Sequence, residues 1–214
     1  MSCYNKKNEI VSTGLNRNGE LDDVTQHAEI QCIEKYIRQH NETGSPNLSN
    51  MTIYTTLESC AQCAGMIVTQ GIPNVVYGQK DINRGDVIER LNLDTTKIGG
   101  FPKYKTEVNS KKSNDPFASQ LDKKYEVANN QEKTPFFIFL QEPKIKNIFQ
   151  EAREKFRNYP VRHTENISVY KTAKKFVLLP EDEKLKEEVI LTPQTKIISV
   201  WQSKTTDTIV KKKK

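Results

Sequence analysis

Over the first eighty positions the hydrophobic pattern switches repeatedly between the period of a strand and that of a helix. "NEIVSTGLN" is a short β-branched run broken by Gly14, which predicts a strand entering a turn. In "LDDVTQHAEIQCIEKYIRQHNETG", Ile30, Ile33 and Ile37 recur at spacings of three and four, the period of a helix, with Thr25 as its candidate N-cap. After the loop "NETGSPNLS", the segment "MTIYTTLE" alternates as a strand does. "CAQCAGMIVTQGI" predicts a helix closed by Gly71, "PNVVYGQKD" a short buried strand, and "DVIERLN" another short helix. This alternation predicts an α/β fold, a central mixed sheet with helices packed on it in three layers.

Beyond Gly99 the pattern loosens. "GGFPKYKTEVNSKKSNDPFASQ" reads as a long loop with one strand. "PFFIFLQEP" is an apolar run bounded by prolines and predicts a buried strand. "KIKNIFQEAREKFRNY" places Ile145, Ile148, Phe149, Ala152 and Phe156 along one helical stripe. "NISVYKTAKKFVLLP" and "TKIISVWQSK" read as strands on either side of the charged "EDEKLKEEV". The expected organisation is a core over residues 1–132 and a C-terminal α+β extension over residues 133–214.

Composition narrows the class. Hydrophobic residues make up 35% and charged residues 28% of the 214 positions, the balance of a chain with a modest core. No apolar run approaches the roughly 20 residues that cross a bilayer, and no secretion signal opens the sequence, so no membrane partner is expected. Cys3, Cys32, Cys60 and Cys63 are too few and too unevenly placed for a disulfide scaffold, which fits a reducing, cytoplasmic setting. The net charge of +6 and the terminal "VKKKK" permit polyanion binding without requiring it. Cys32 reads as a small buried thiol, His40 and His163 as surface residues, and Trp201 as a core residue.

The chemistry centres on "SCAQC". Cys60 and Cys63, at i and i+3 of a helix, face one side, an arrangement open to a metal site, a redox dithiol or two inert core residues. Upstream, "QHAEI" supplies His27 and Glu29, and His-x-Glu followed by Pro-Cys-x-x-Cys is a signature of zinc-dependent deaminases, met here except at Ser59. One imidazole and two thiolates are one ligand short of the four that close a structural zinc site, and the open position is what metal-assisted hydrolysis uses. Glu29 then stands where a proton carrier between water and substrate belongs.

"NRNGELDDVTQHAEI" and "TIYTTLESCAQCAGMIVTQGIPNVVYGQKD" resemble the cytidine/deoxycytidylate deaminase superfamily, closest to its bacterial tRNA-adenosine deaminase and guanine deaminase branch. The resemblance spans roughly residues 8–81. It implies Zn2+ held by His27, Cys60 and Cys63, Glu29 as the catalytic proton carrier, and substrate contacts from Asn16, Ala28 and Ser59. It implies hydrolytic deamination of a nucleobase, with adenine or cytosine in single-stranded DNA or in RNA such as tRNA as the expected target. A free base, nucleoside or nucleotide is the alternative substrate, and a catalytically inactive zinc-containing nucleic-acid-binding module the alternative of another class. A homodimer is compatible with the family.

Two departures stand out. Ser59 replaces the proline the family usually has before the first cysteine, which leaves the carbonyl in place but the turn less pre-set. The helix and strand that generally precede the "NEIVSTGLN" strand have almost no sequence here, so the expectation is that they are missing. Alternatively "IFQEAREKFRNY…ISVYKTAKKFVLL", read as helix then strand, would supply them by permutation. A toxin module delivered into a target cell, paired with an immunity protein, is a further reading of these departures.

Overall fold

The computed structural model describes residues 2–4, 9–40, 44 and 46–178. The chain divides into two units, Met1–Leu178 and Leu179–Lys214, and every feature below lies in the first. The predicted strand "TKIISVWQSK", the charged "EDEKLKEEV" and Trp201 lie outside the described residues.

Five strands form one sheet in the order β2–β1–β3–β4–β5: β1 Ser2–Tyr4, β2 Ile10–Thr13, β3 Thr52–Leu57, β4 Asn74–Gln79 and β5 Asn109–Lys112. β1 is antiparallel to both β2 and β3, whereas β3, β4 and β5 run parallel. The mixed central sheet of the expected α/β class is present. A strand does precede β2, where the sequence reading expected too few residues for one.

Between the strands lie α1 Asn18–Leu21, α2 Ala28–Gln39, α3 Ala61–Thr69 and α4 Val87–Leu91. The predicted helix from Leu21 is thus broken, and Thr25 does not cap it. Thr25 instead donates its hydroxyl and its N–H to Asp23 Oδ1, at 2.6 and 2.9 Å, in a tight turn that ends at His27. α3 closes at Gly71, whose φ of +68° is the left-handed conformation glycine adopts without a Cβ clash. Parity assigns the faces. Ile53 and Val75 point to one side and form a core with Cys32, Ile33, Ala64 and Ile67 of α2 and α3. The alternate residues Tyr54 and Val76 point to the other.

That second face meets α5 Pro116–Gln131, which the sequence reading missed. Its start is set by Asp115, whose carboxylate accepts the Ala118 N–H at 2.9 Å, with Pro116 in the first turn. Leu121, Tyr125 and Ala128 of α5 form a second core with Phe139, Ile145 and Ile148.

Two predicted strands are corrected. "PFFIFLQEP" forms the single-turn α6 Phe136–Phe139 and the start of α7 Pro143–Arg157. Its prolines open helices here, Pro135 as N-cap and Pro143 in the first turn, so they do not bound a strand. "NISVYKTAKKFVLLP" contains α8 Ile167–Leu178, anchored by Tyr170, whose hydroxyl donates to the Phe156 and Arg157 carbonyls at 2.8 and 2.9 Å. The described part of the extension is helical, so the helix-then-strand permutation is not what this segment forms. The stripe on α7 holds at Ile145 and Ile148, while Phe149 is exposed.

Candidate metal centre and active-site pocket

His27 and Cys60 are each the N-cap of a helix, α2 and α3, with extended backbone. The two helix starts meet above the carboxyl end of the parallel strands. β2 lets α2 come this close because Gly14 has no side chain: a Cβ there would lie 2.2 Å from the Ala28 carbonyl oxygen and 2.8 Å from the Cys32 nitrogen.

Cys63, one turn into α3, completes the group. His27 Nδ1 lies 3.5 Å from Cys60 Sγ and 3.3 Å from Cys63 Sγ, and the sulfurs are 3.9 Å apart. An ion held tetrahedrally at zinc's bond lengths needs sulfurs about 3.8 Å apart and sulfur–nitrogen distances of about 3.6 Å. The three donors therefore already stand at the spacing that ion requires. A second acidic group, Glu58, Asp86 and Glu89, is differently engaged. Both Glu58 oxygens accept backbone N–H groups, from Asp86 at 2.9 Å and Asp81 at 3.1 Å, and Asp86 pairs with Lys80.

The two thiols differ in acidity. The Cys63 thiol and the N–H groups of Cys63 and Gln62 hold Cys60 down to about 5, against the opposing effect of burial. Cys63 is pushed well above the ordinary thiol range by its bond to Cys60, by burial and by Glu29.

Glu29, in the first turn of α2, is buried at 8% exposure. Its Oε1 accepts the Thr55 hydroxyl at 2.9 Å and its Oε2 lies 3.5 Å from Cys63 Sγ. A carboxylate beside the Cys63 thiol, held by a neutral hydroxyl, is placed to take and return protons. Sequence reasoning missed Thr55, although its inward position on the alternating β3 was readable. It also passed over Glu58, whose clasp on Asp81 and Asp86 ties the β3–α3 turn to the loop after β4.

A cavity of about 530 Å³ opens over this group, with Asn16, His27, Ala28, Glu29 and Cys60 among its walls. Asn16 uses its Oδ1 to accept the Asn18 N–H at 3.1 Å, a turn contact, and still lines the cavity. Ser59 lies between the lining residues Glu58 and Cys60 but is itself 2% exposed, and its hydroxyl has no partner among the described residues. Cys3 and Cys32 are buried in the first core, and His40 and His163 are exposed.

The sheet, the two helix starts and the His/Cys/Cys group define a zinc-binding α/β domain. Residues 2–79 match the family described as the cytidine and deoxycytidylate deaminase zinc-binding region, the superfamily that the motifs resemble. Zinc is accordingly the cofactor of this region.

Among similar proteins, the tRNA-specific adenosine deaminase of Rickettsia bellii (strain RML369-C) is 35% identical over 89 residues, 42% of this chain and 59% of the relative. The tRNA-specific adenosine deaminase 2 of Xenopus laevis is 32% identical over 89 residues, 40% of this chain and 51% of the relative. A solved structure from studies of A-to-I editing by tRNA:A34 deaminases is 25% identical, with a TM-score of 0.40, covering 52% of this chain and 79% of that one. The chain spans a little over half the length of the curated relatives it matches.

Proposed function

We propose that this chain is a zinc-dependent hydrolytic deaminase that removes the exocyclic amino group of a nucleobase, with the base presented by a nucleic acid. The observation that carries the reading is Glu29: a buried carboxylate, oriented by Thr55, on the wall of a cavity that also exposes the His27 and Cys60 donors. A purely structural zinc site has no use for a carboxylate so placed.

His27, Cys60 and Cys63 would hold the ion, which when bound makes water a nucleophile near neutral pH. Glu29 takes a proton from that water as its oxygen bonds to the amine-bearing ring carbon. The carboxylate hands that proton to the adjacent ring nitrogen and then carries the remaining hydroxyl proton to the exocyclic nitrogen as the carbon–nitrogen bond breaks and ammonia leaves, so the ring ends with a carbonyl beside an N–H. Asn16 and Ala28 border the position where the base would sit, and the Ser59 carbonyl is the candidate partner of the displaced amino group.

Adenine is the favoured target, because the matched relatives are named as tRNA-specific adenosine deaminases; cytosine is the second. A cytoplasmic location and a homodimer go with that reading. The described residues include no helix long and apolar enough to cross a membrane. A delivered toxin with an immunity partner rests on the Ser59 departure and is the less supported reading.

The test is a mass-spectrometric screen of zinc-loaded protein against free bases, nucleosides, nucleotides, single- and double-stranded DNA, and tRNA, with Glu29→Ala as control. Product from a polynucleotide, absent in the control, is the expected result. Product from small molecules alone would overturn the substrate class, and zinc without any product would favour a binding module.

A further inference from the structure

Part of the cavity wall comes from sequence beyond the matched residues 2–79, namely the loop after β4 and the joint between α5 and α6. Three side chains there have no part in the fold's two cores.

Arg84 sits in a loop whose backbone is fixed. Asp81 Oδ1 accepts the Asn83 and Arg84 N–H groups at 3.1 and 2.9 Å, and Glu58 clasps both ends of the turn. Lys133 follows the end of α5 with φ of +53°, an uncommon conformation for a residue carrying a Cβ. The next residue locks the bend, Thr134 N–H reaching the Ala128 carbonyl at 3.2 Å. Among the described residues neither cation has an ion-pair partner.

Phe137 is the third. Phe136 and Phe139 pack their rings against Tyr125, at 4.9 and 5.1 Å between centroids, whereas Phe137 is 67% exposed and lines the cavity. One open aromatic ring and two cations carried on hydrogen-bonded turns, all lining the same cavity, are the chemistry that binds single-stranded nucleic acid: bases stack and phosphates pair.

We propose that Arg84, Lys133 and Phe137 form a rim that holds the nucleotides flanking the target base, so that the substrate is a single-stranded polynucleotide. This rests on the deaminase reading for the target base itself, but the rim makes its contacts without turnover. Phe137 stacks on a flanking base, and Arg84 and Lys133 each neutralise a phosphate.

The test is fluorescence anisotropy of a labelled single-stranded RNA of about ten nucleotides, titrated with the full zinc-loaded chain carrying Glu29→Gln, over a range of salt. Phe137→Ala is expected to weaken binding at least about fivefold without changing the salt dependence. Phe137→Leu, which keeps the apolar bulk, is expected to do the same. Arg84→Ala with Lys133→Ala should lower the slope of log Kd against log salt by about 1.4, roughly 0.7 for each phosphate. Lys146→Ala, on the exposed face of α7, is the control and should leave both quantities unchanged.

Binding by both Phe137 variants within about twofold of the parent overturns the proposal. So does an unchanged slope in the double variant, or an equal loss of slope in Lys146→Ala. Rim variants that lose binding while no substrate is ever deaminated would sink the deaminase reading and leave the rim. Oligonucleotide deamination indifferent to all of the rim variants would do the reverse.

Discussion

Thr55→Val removes one hydroxyl and almost no volume, and that hydroxyl is what orients Glu29. The Thr55 Oγ1–Glu29 Oε1 distance is 2.9 Å, and the two residues are 9% and 8% exposed, so solvent is poorly placed to replace the lost donor. Taking a charge-assisted hydrogen bond from a buried carboxylate costs about 1.5–3 kcal/mol. If that orientation is needed where protons move, the loss falls on kcat, by roughly 10- to 150-fold. KM should stay within about threefold, because Thr55 anchors the carboxylate and not the base. The assay is steady-state ammonia release, with zinc content measured on the same samples. Thr55→Ser keeps the donor and should recover most of the rate. A valine variant within about threefold of the native kcat, or one that loses zinc in proportion to activity, would refute the reasoning.

Other consequences concern the thiols, the close approach of β2 and α2, and the orphaned hydroxyl. After chelation of zinc, Cys60 should alkylate with iodoacetamide at neutral pH while buried Cys63 stays unmodified, as read from modified peptides. Because folding lowers the Cys60 value from 9.0 to about 5, its stabilisation of the metal-free fold is fully present above about 9 and drains away as pH falls to about 5. Cys60 reactivity that rises only near the ordinary thiol range would contradict this. Gly14→Ala should cost roughly 1–3 kcal/mol and weaken zinc binding, since the new Cβ pushes on the helix start that carries His27. An unchanged melting temperature and zinc affinity would count against it. Ser59→Ala should raise stability by about 1 kcal/mol, because it removes a buried hydroxyl without a partner. A lowered Tm would show that the hydroxyl is satisfied in solution.

The clustering of His27, Cys60 and Cys63 was legible through the family signature, and each half of it is local. His-x-Glu puts the imidazole at the N-cap and the carboxylate in the first turn of one helix, and Cys-x-x-Cys puts one sulfur at the N-cap and the other in the first turn of another. β3 and β4 were legible because both alternate and each has one face buried, whereas β1 was not read at all. What was not legible depends on tertiary contact. Phe136 to Phe139 and Ile167 to Leu178 are rich in β-formers, yet they are helical, with Phe139 packed on Tyr125 and the Tyr170 hydroxyl bonded to the Phe156 carbonyl. α5 carried a readable start in Asp115 and Pro116, and apolar positions at 118, 121, 125 and 128, but a lysine-rich and asparagine-rich setting masked them. Thr55 and Phe137 have no motif of their own. Each is defined by what the fold brings against it.

The most direct test of the central claim is zinc content and base deamination measured together on native protein and on Glu29→Gln. The account predicts stoichiometric zinc in both, with turnover in the native chain and none detectable in the variant. Equal turnover in the two proteins would contradict the role of Glu29, and stoichiometric zinc retained after His27→Ala and Cys60→Ala together would contradict the metal centre.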